Sequence, residues 1–126
     1  MSSGHAELAR SLYNVDWAAV GARGRGLARA SEVLAPTVKA KMSPEVGDRV
    51  LVGVSDFAVF VEALEEDFSE FLYDAEEIVE NGSGDVSITG VIRARGRRSK
   101  MPLSAPFKHT WSFEDDRAVS IEASIG

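Results

Sequence analysis

Val86-Ser87-Ile88-Thr89-Gly90-Val91-Ile92-Arg93 and, beyond a basic turn, Phe107-Lys108-His109-Thr110-Trp111-Ser112-Phe113 decide the fold. In both stretches apolar or ring-bearing residues alternate with polar ones. A period of two is the mark of a half-buried strand. It places Val86, Ile88, Gly90 and Ile92 on one face, and Phe107, His109, Trp111 and Phe113 on one face of the next strand. Arg95 to Lys100 forms the turn between them. Glu114-Asp115-Asp116-Arg117 is a second tight turn, after which Val119, Ile121, Ala123 and Ile125 alternate with Ser120, Glu122 and Ser124. The result is an antiparallel sheet with one apolar face that other elements must cover.

Working toward the N-terminus, Asn81-Gly82-Ser83-Gly84-Asp85 is a turn and Tyr73 to Val79 a strand before it. Phe57, Phe60, Val61, Leu64, Phe68, Phe71 and Leu72 fall at steps of one, three or four, which predicts one long helix capped by Ser55 or Asp56. Glu62, Glu65, Glu66, Asp67 and Glu70 form its other face. Val50 to Val54 is a short extended run, preceded by a loop over Pro44 to Asp48. Thr37 to Ser43 alternates as a strand, with Val38, Ala40 and Met42 opposite Lys39 and Lys41. A helix from Trp17 to Leu34, N-capped by Asp16 and interrupted by Gly21, Gly24 and Gly26, ends at Ala35-Pro36. Leu8, Ala9, Leu12 and Tyr13 share a face of a first helix, and His5 falls in a frayed terminus. Helices followed by a run of strands indicate an α+β architecture. Neither a linker nor an internal repeat interrupts the 126 residues, so a single domain over 1–126 is expected.

The composition, 44% hydrophobic and 27% charged, is that of an ordinary globular chain and argues against disorder. With no cysteine, disulfides, thiolate metal sites and cysteine catalysis are excluded. Met1-Ser2-Ser3-Gly4-His5 has no basic leader character and no apolar run is long enough for a membrane span, so the cytoplasm is the expected compartment. The net charge of −6 is unevenly placed: residues 53–85 carry eleven acidic and no basic side chains. The two segments flanking them are net basic. Two readings stand side by side: a solvated acidic face opposite a basic hairpin tip, or acidic and basic surfaces meeting across a dimer.

His109 shares the parity of Phe107 and Trp111 and should point inward. A histidine in an apolar surround can act as acid, base or hydrogen-bond donor; it can equally be a core residue satisfied by a carbonyl or a tyrosine hydroxyl. Tyr13 and Trp17, four apart, share a helix face, as core anchors with one polar tip wet would. Two histidines and no cysteine leave no metal site. Gly-Ala-Arg-Gly-Arg-Gly over 21–26 is neither a dinucleotide fingerprint nor a phosphate loop, and no nucleophile elbow is present. The arginines at 23, 25 and 29 and at 93, 95, 97 and 98 form two basic clusters, but the net negative charge disfavours nucleic acid as a partner.

Three stretches together resemble the nuclear-transport-factor-2-like superfamily in its SnoaL-like branch. Phe57 to Phe71 is similar to the family's long amphipathic helix. Arg95-Gly96-Arg97-Arg98-Ser99-Lys100 resembles its RGRGSG-type hairpin, and Phe107 to Val119 its F-x-H-x-W-x-F hairpin. The likeness covers about residues 35–126. It implies a cone-shaped curved mixed β-sheet wrapped around about three helices, a cystatin-like α+β roll with an apolar pocket at its open end. Family members include ketosteroid isomerases, polyketide cyclases and non-catalytic binding modules, and dimers are common. The carboxylate that performs proton transfer in the cyclase branch falls at about Ala123 here, and the nearest acid, Glu122, has outward parity. The first strand, where isomerases place their acid, offers Lys39 and Lys41. What the resemblance implies is a domain that binds a small hydrophobic molecule, with cofactor-free proton-transfer chemistry of isomerase or cyclase type carried by His109 with Tyr13. Trp17, Met42, Phe60, Leu64, Phe68 and Trp111 would line the pocket. No cofactor, metal or membrane partner is expected, and a homodimer is. The alternative is a non-catalytic dimeric interaction module. The chain departs from the family pattern in its Arg/Gly-rich residues 17–34, in Ala35-Pro36-Thr37 where the family has Ala-Pro-Asp, and at Arg98, Lys100 and Asp116, which stand at usual glycines.

Overall fold

The computed structural model describes residues 4–18, 28–41 and 50–124. In chain order the elements are α1 (Gly4–Arg10), α2 (residues 28–33), β1 (Leu34–Lys41), β2 (Val50–Val52), α3 (Gly53–Asp67), β3 (Phe68–Glu80), β4 (Val86–Gly96), β5 (Pro102–Glu114) and β6 (Arg117–Ser124). The strands form one six-stranded sheet in the order β2-β1-β6-β5-β4-β3. β1 and β6 run parallel; the other neighbours are antiparallel, so the sheet is mixed as expected. Register shifts in β1, β3 and β5 bend it, since each bulge adds local twist and curvature.

The alternation in the C-terminal half holds. Val86, Ile88, Ile92, Phe107, His109 and Trp111 are buried, and the apolar ones among them share one core with Phe60, Val61 and Leu64 of α3 and Ala30 and Val33 of α2. Gly90 has the parity of Ile88 and Ile92 and stands opposite Ala75. A side chain there would collide with the Asp74 carbonyl, so this glycine is what lets β3 close onto β4 beside its register shift.

Four boundaries differ from the sequence reading. The long helix stops at Asp67, and Phe68, Phe71 and Leu72 belong to β3. Phe71 pairs with Ala94 and Tyr73 with Ile92. Long-range pairing with β4 overrides a helical spacing that continues through Phe71. The same helix begins at Gly53 rather than after Ser55, with no side-chain cap; Asp56 instead accepts the Val52 N–H at 2.8 Å from within the first turn. Gly53 has φ +81°, and a Cβ on it would press the Pro36 carbonyl at 3.0 Å. Upstream, helix α2 ends at Val33 and the strand begins at Leu34, so Pro36 lies inside β1. It sits where the pairing with β6 is irregular, between Leu34 and Lys39, and there its missing N–H costs nothing. Finally α1 ends at Arg10, leaving Leu12, Tyr13 and Trp17 buried outside any helix. The predicted helix over 19–27, the loop over 44–48 and Ile125 lie outside the described residues.

His5 is not frayed. Its Nδ1 lies 2.9 Å from the Gly84 carbonyl and its Nε2 3.0 Å from that of Asp115. Its ring stacks on Phe113 with centroids 4.3 Å apart. The start of α1 is thereby fastened to two turns of the sheet. The basic turn has structural work as well. Arg97 donates to the carbonyls of Glu65 and Phe68 at 2.9 and 3.0 Å, satisfying backbone left open at the end of α3. Arg93 pairs with Asp74 at 2.8 Å and Arg95 donates to the Lys100 carbonyl. No described helix is long and apolar enough to cross a membrane.

Candidate functional site

Residues 13–18 carry one half of the site, and β3 holds them in place. The Asn14 N–H donates to the Tyr73 carbonyl at 2.9 Å and the Trp17 N–H to the Phe71 carbonyl at 2.7 Å. In return the Ala75 N–H donates to the Asn14 side chain, and Asp16 Oδ1 accepts from both Phe71 and Ala18, all at 3.0 Å. Asp16 therefore closes a turn and ties it to β3; the helix it was expected to cap runs into residues 19–27, outside the described residues. Asn14 has φ 62°, a conformation its residue type tolerates better than most. This stitching sets Tyr13 above the concave sheet.

The other half comes from β5. Its alternation turns Phe107, His109 and Trp111 upward under Tyr13. The Tyr13 hydroxyl lies 2.6 Å from His109 Nδ1, and the Trp111 indole N–H donates to the same hydroxyl at 2.8 Å. A phenol has one hydrogen. Its oxygen takes the indole proton, and its own hydrogen is directed to the imidazole. Nδ1 is then the acceptor and Nε2 bears the ring proton; no described residue hydrogen-bonds to Nε2. Phe107, Tyr73 and Tyr13 surround the imidazole, at ring-centroid distances of 4.7, 5.0 and 5.7 Å.

Burial sets the electrostatics. His109 is 7% exposed, and loss of hydration lowers its pKa from the ordinary 6.5 to about 4. At neutral pH it is an uncharged donor and acceptor. Burial likewise raises the Tyr13 and Tyr73 phenols above their ordinary value, so both stay protonated. Tyr73 differs from Tyr13 in one respect: among the described residues its buried hydroxyl has no hydrogen-bond partner. Such a group costs on the order of 1–3 kcal/mol.

Tyr13, Tyr73, His109 and Trp111 line one side of a cavity whose remaining wall is apolar, with Leu12, Trp17, Val38, Phe57, Phe60 and Ile121 prominent. The cavity holds about 60 Å³, and Lys41, one of its lining residues, is exposed. Ala123 lines it and Glu122 is exposed, as their parity required. No described carboxylate reaches it, so the arrangement offers neutral hydrogen bonds and no acid–base partner for His109.

Of the residues expected at the site, His109, Tyr13, Trp17, Phe60 and Trp111 meet in this cavity. Leu64 is buried in the core away from the cavity wall. Phe68 lies in β3, against a different hollow formed with Phe71, Ile92 and Leu103, because α3 ends one residue before it. Met42 lies outside the described residues. Tyr73 and Phe57 are additions. Tyr73 stood at the expected start of a strand, where parity had no second reference point; the full length of β3 supplies one. Among the described residues, no group of three or more histidine, aspartate or glutamate side chains is placed to hold a metal ion.

No sequence-family model matches the chain, and no curated protein matches it by sequence. Solved structures do match. An NTF2-like protein of unknown function from Burkholderia pseudomallei K96243 superposes with a TM-score of 0.75 at 23% identity, over 98% of this chain and 91% of its own. A provisionally assigned SnoaL-like polyketide cyclase from Jannaschia sp. CCS1 gives 0.77 at 15% identity, over 97% and 85%. A hypothetical protein with the ketosteroid isomerase-like fold from Catenulispora acidiphila, solved in complex with trimethylamine, gives 0.69 at 10% identity, over 86% and 77%. At these identities the likeness concerns the fold, and the fold of this chain is the cone-shaped NTF2-like one.

Proposed function

We propose that the chain is a single small-molecule-binding domain whose cavity takes a compact hydrophobic compound. One observation carries this reading: a hydrogen-bonded chain of Trp111, Tyr13 and His109 stands in an otherwise apolar cavity that opens to solvent. Small-molecule sites share that make-up, apolar walls with a few placed polar groups. The trimethylamine bound by the Catenulispora protein is a compact organic ligand on the same fold. Where the bound compound reacts, the chemistry is cofactor-free proton transfer, with His109 touching the substrate and Tyr13 holding its ring. Trp17, Phe60 and Trp111 form the walls. The domain acts in the cytoplasm as a homodimer.

A second reading, a dimeric interaction module without chemistry, is favoured by the apolar hollow at the other end of the sheet. There Leu103 is 53% exposed, with Met101 close by in sequence at 61%.

Native mass spectrometry of protein purified gently from its own cells decides between them. The first reading expects a defined extra mass on the wild type, lost in His109→Ala with the fold intact. An empty wild type together with room-temperature unfolding of His109→Ala supports the module. In either case a monomer by light scattering at tens of micromolar ends the dimer proposal.

A further inference from the structure

The uneven charge of the chain falls on two neighbouring patches of the fold. On α3, Val59, Glu62 and Glu66 share one helix face by their spacing, and all three are exposed, Val59 by 60%. At the end of the sheet, Phe68, Phe71, Ile92 and Leu103 line a hollow of about 250 Å³. The basic turn closes one end of this hollow, because Phe68 pairs with Gly96 and Lys100 precedes Leu103 by three residues. Arg98 and Lys100 are exposed on that turn, as Glu62 and Glu66 are on α3. Among the described residues none of these four charges has an ion-pair partner.

We propose that a second copy of this chain fills the hollow: Val59 on α3 of one protomer packs against the partner's Leu103, Glu62 and Glu66 meet the partner's Arg98 and Lys100, and the same contacts form in reverse. This rests on the homodimer proposed above and names its interface. Charge selects the occupant. Residues 53–85 carry eleven acidic and no basic side chains, whereas residues 93–100 carry five basic and no acidic ones. Attraction between such surfaces steers and registers an encounter. The reach also agrees: Val59 and Glu66 lie two helical turns apart, about 10 Å, and Leu103 and Lys100 are at most about 10 Å apart along the chain. The two patches adjoin, since Arg97 of the basic turn donates to the carbonyls of Glu65 and Phe68 at the end of α3. Adjoining complementary patches suit a two-fold axis: each copy gives an acidic face and receives one, so association closes at two. Apolar contacts at the centre with charges around them are the ordinary make-up of an interface.

The test is sedimentation equilibrium of the full chain with two charge reversals, Arg98→Glu/Lys100→Glu and Glu62→Lys/Glu66→Lys. All four positions are exposed, and Arg97, which holds the end of α3, stays in place. Each reversal alone should raise the dimer Kd at least about tenfold. An equimolar mixture of the two should dimerise again, because the mixed dimer has opposite charges at both contacts. Raising NaCl from about 0.05 to 0.5 M should weaken the wild-type dimer. A wild-type dimer with both reversals without effect, or two variants that melt as wild type does and fail to recover on mixing, overturns this interface and leaves the homodimer standing. The neutral pair Arg98→Gln/Lys100→Gln should weaken the dimer by less than the reversal, and affinity equal to wild type overturns the interface as well. A monomeric wild type at tens of micromolar overturns the interface and the homodimer together and leaves the hollow to a different partner.

Discussion

His5 and His109 lie against the same strand, one stacked on Phe113 and the other four residues before it in β5. Their surroundings ask opposite things of them. His109 meets a phenol that already receives an indole proton, and it completes that chain as a neutral ring. His5 meets two backbone carbonyls, at 2.9 and 3.0 Å, and the Asp116 carboxylate lies 4.0 Å from its Nε2. Carbonyls only accept, so a ring nitrogen that bonds one of them is the donor. One buried ring is held proton-poor for the sake of a cavity, and one rim ring is held by acceptors for the sake of a helix start. The difference teaches that a histidine's role is written by its partners' donors and acceptors, which sequence neighbours do not reveal.

The largest effect that separates the two comes from acid. The unfolded chain protonates His109 near 6.5, whereas the folded ring resists down to about 4. Stability is therefore flat above pH 6.5 with respect to this group and falls as pH drops toward 4, by about 3 kcal/mol in all. Urea unfolding at pH 7.5 and pH 4.5 should show this loss in wild type and a much smaller one in His109→Phe. Equal losses would remove His109 as the cause. Next in size is Tyr13→Phe, which strands the Trp111 N–H and His109 Nδ1 together and should cost ~1–3 kcal/mol at pH 7.5. Chemical denaturation measures it, and a neutral result would mean the three-member chain is not formed in solution. The smallest is His5→Ala, a loss of about 1 kcal/mol confined to the start of α1. Its signature is local: faster hydrogen exchange at Leu8 to Arg10 with the amides of β5 unchanged. Uniform acceleration would instead assign His5 to the global core.

The sequence made the concave face of β4 and β5 legible, because strict alternation of Val86, Ile88, Ile92, Phe107 and Trp111 has one physical reading. It also made His109 and Tyr13 candidates, His109 from parity and Tyr13 from a helix face and the family resemblance. Their contact was not legible, since it depends on Asn14 and Asp16 being pinned to β3. The helix–strand boundary at Asp67 was hidden for a related reason. The apolar spacing does not break there: Leu64, Phe68 and Phe71 satisfy a helical period, while Phe71 and Tyr73 satisfy a strand period, and β4 decides between them. Pro36 misled in the other direction. It forbids a regular ladder but not a bulge, and only the pairing of β1 with β6 shows which is present. Tyr73 was beyond reach because an unpaired hydroxyl is a property of its surroundings.

The stitching of residues 14–17 onto β3 has a consequence for association. The outer rim of β3 is sealed along residues 71–75, and its remaining stretch carries Glu76, Glu77 and Glu80. At the opposite rim, β2 is three residues long, and no described strand pairs with its far side. A sheet with one sealed rim can add a single neighbour through the other, after which growth has nowhere to continue. Edge-to-edge stacking of this fold terminates instead of propagating, and fibril formation would first have to peel the N-terminal segment away from β3.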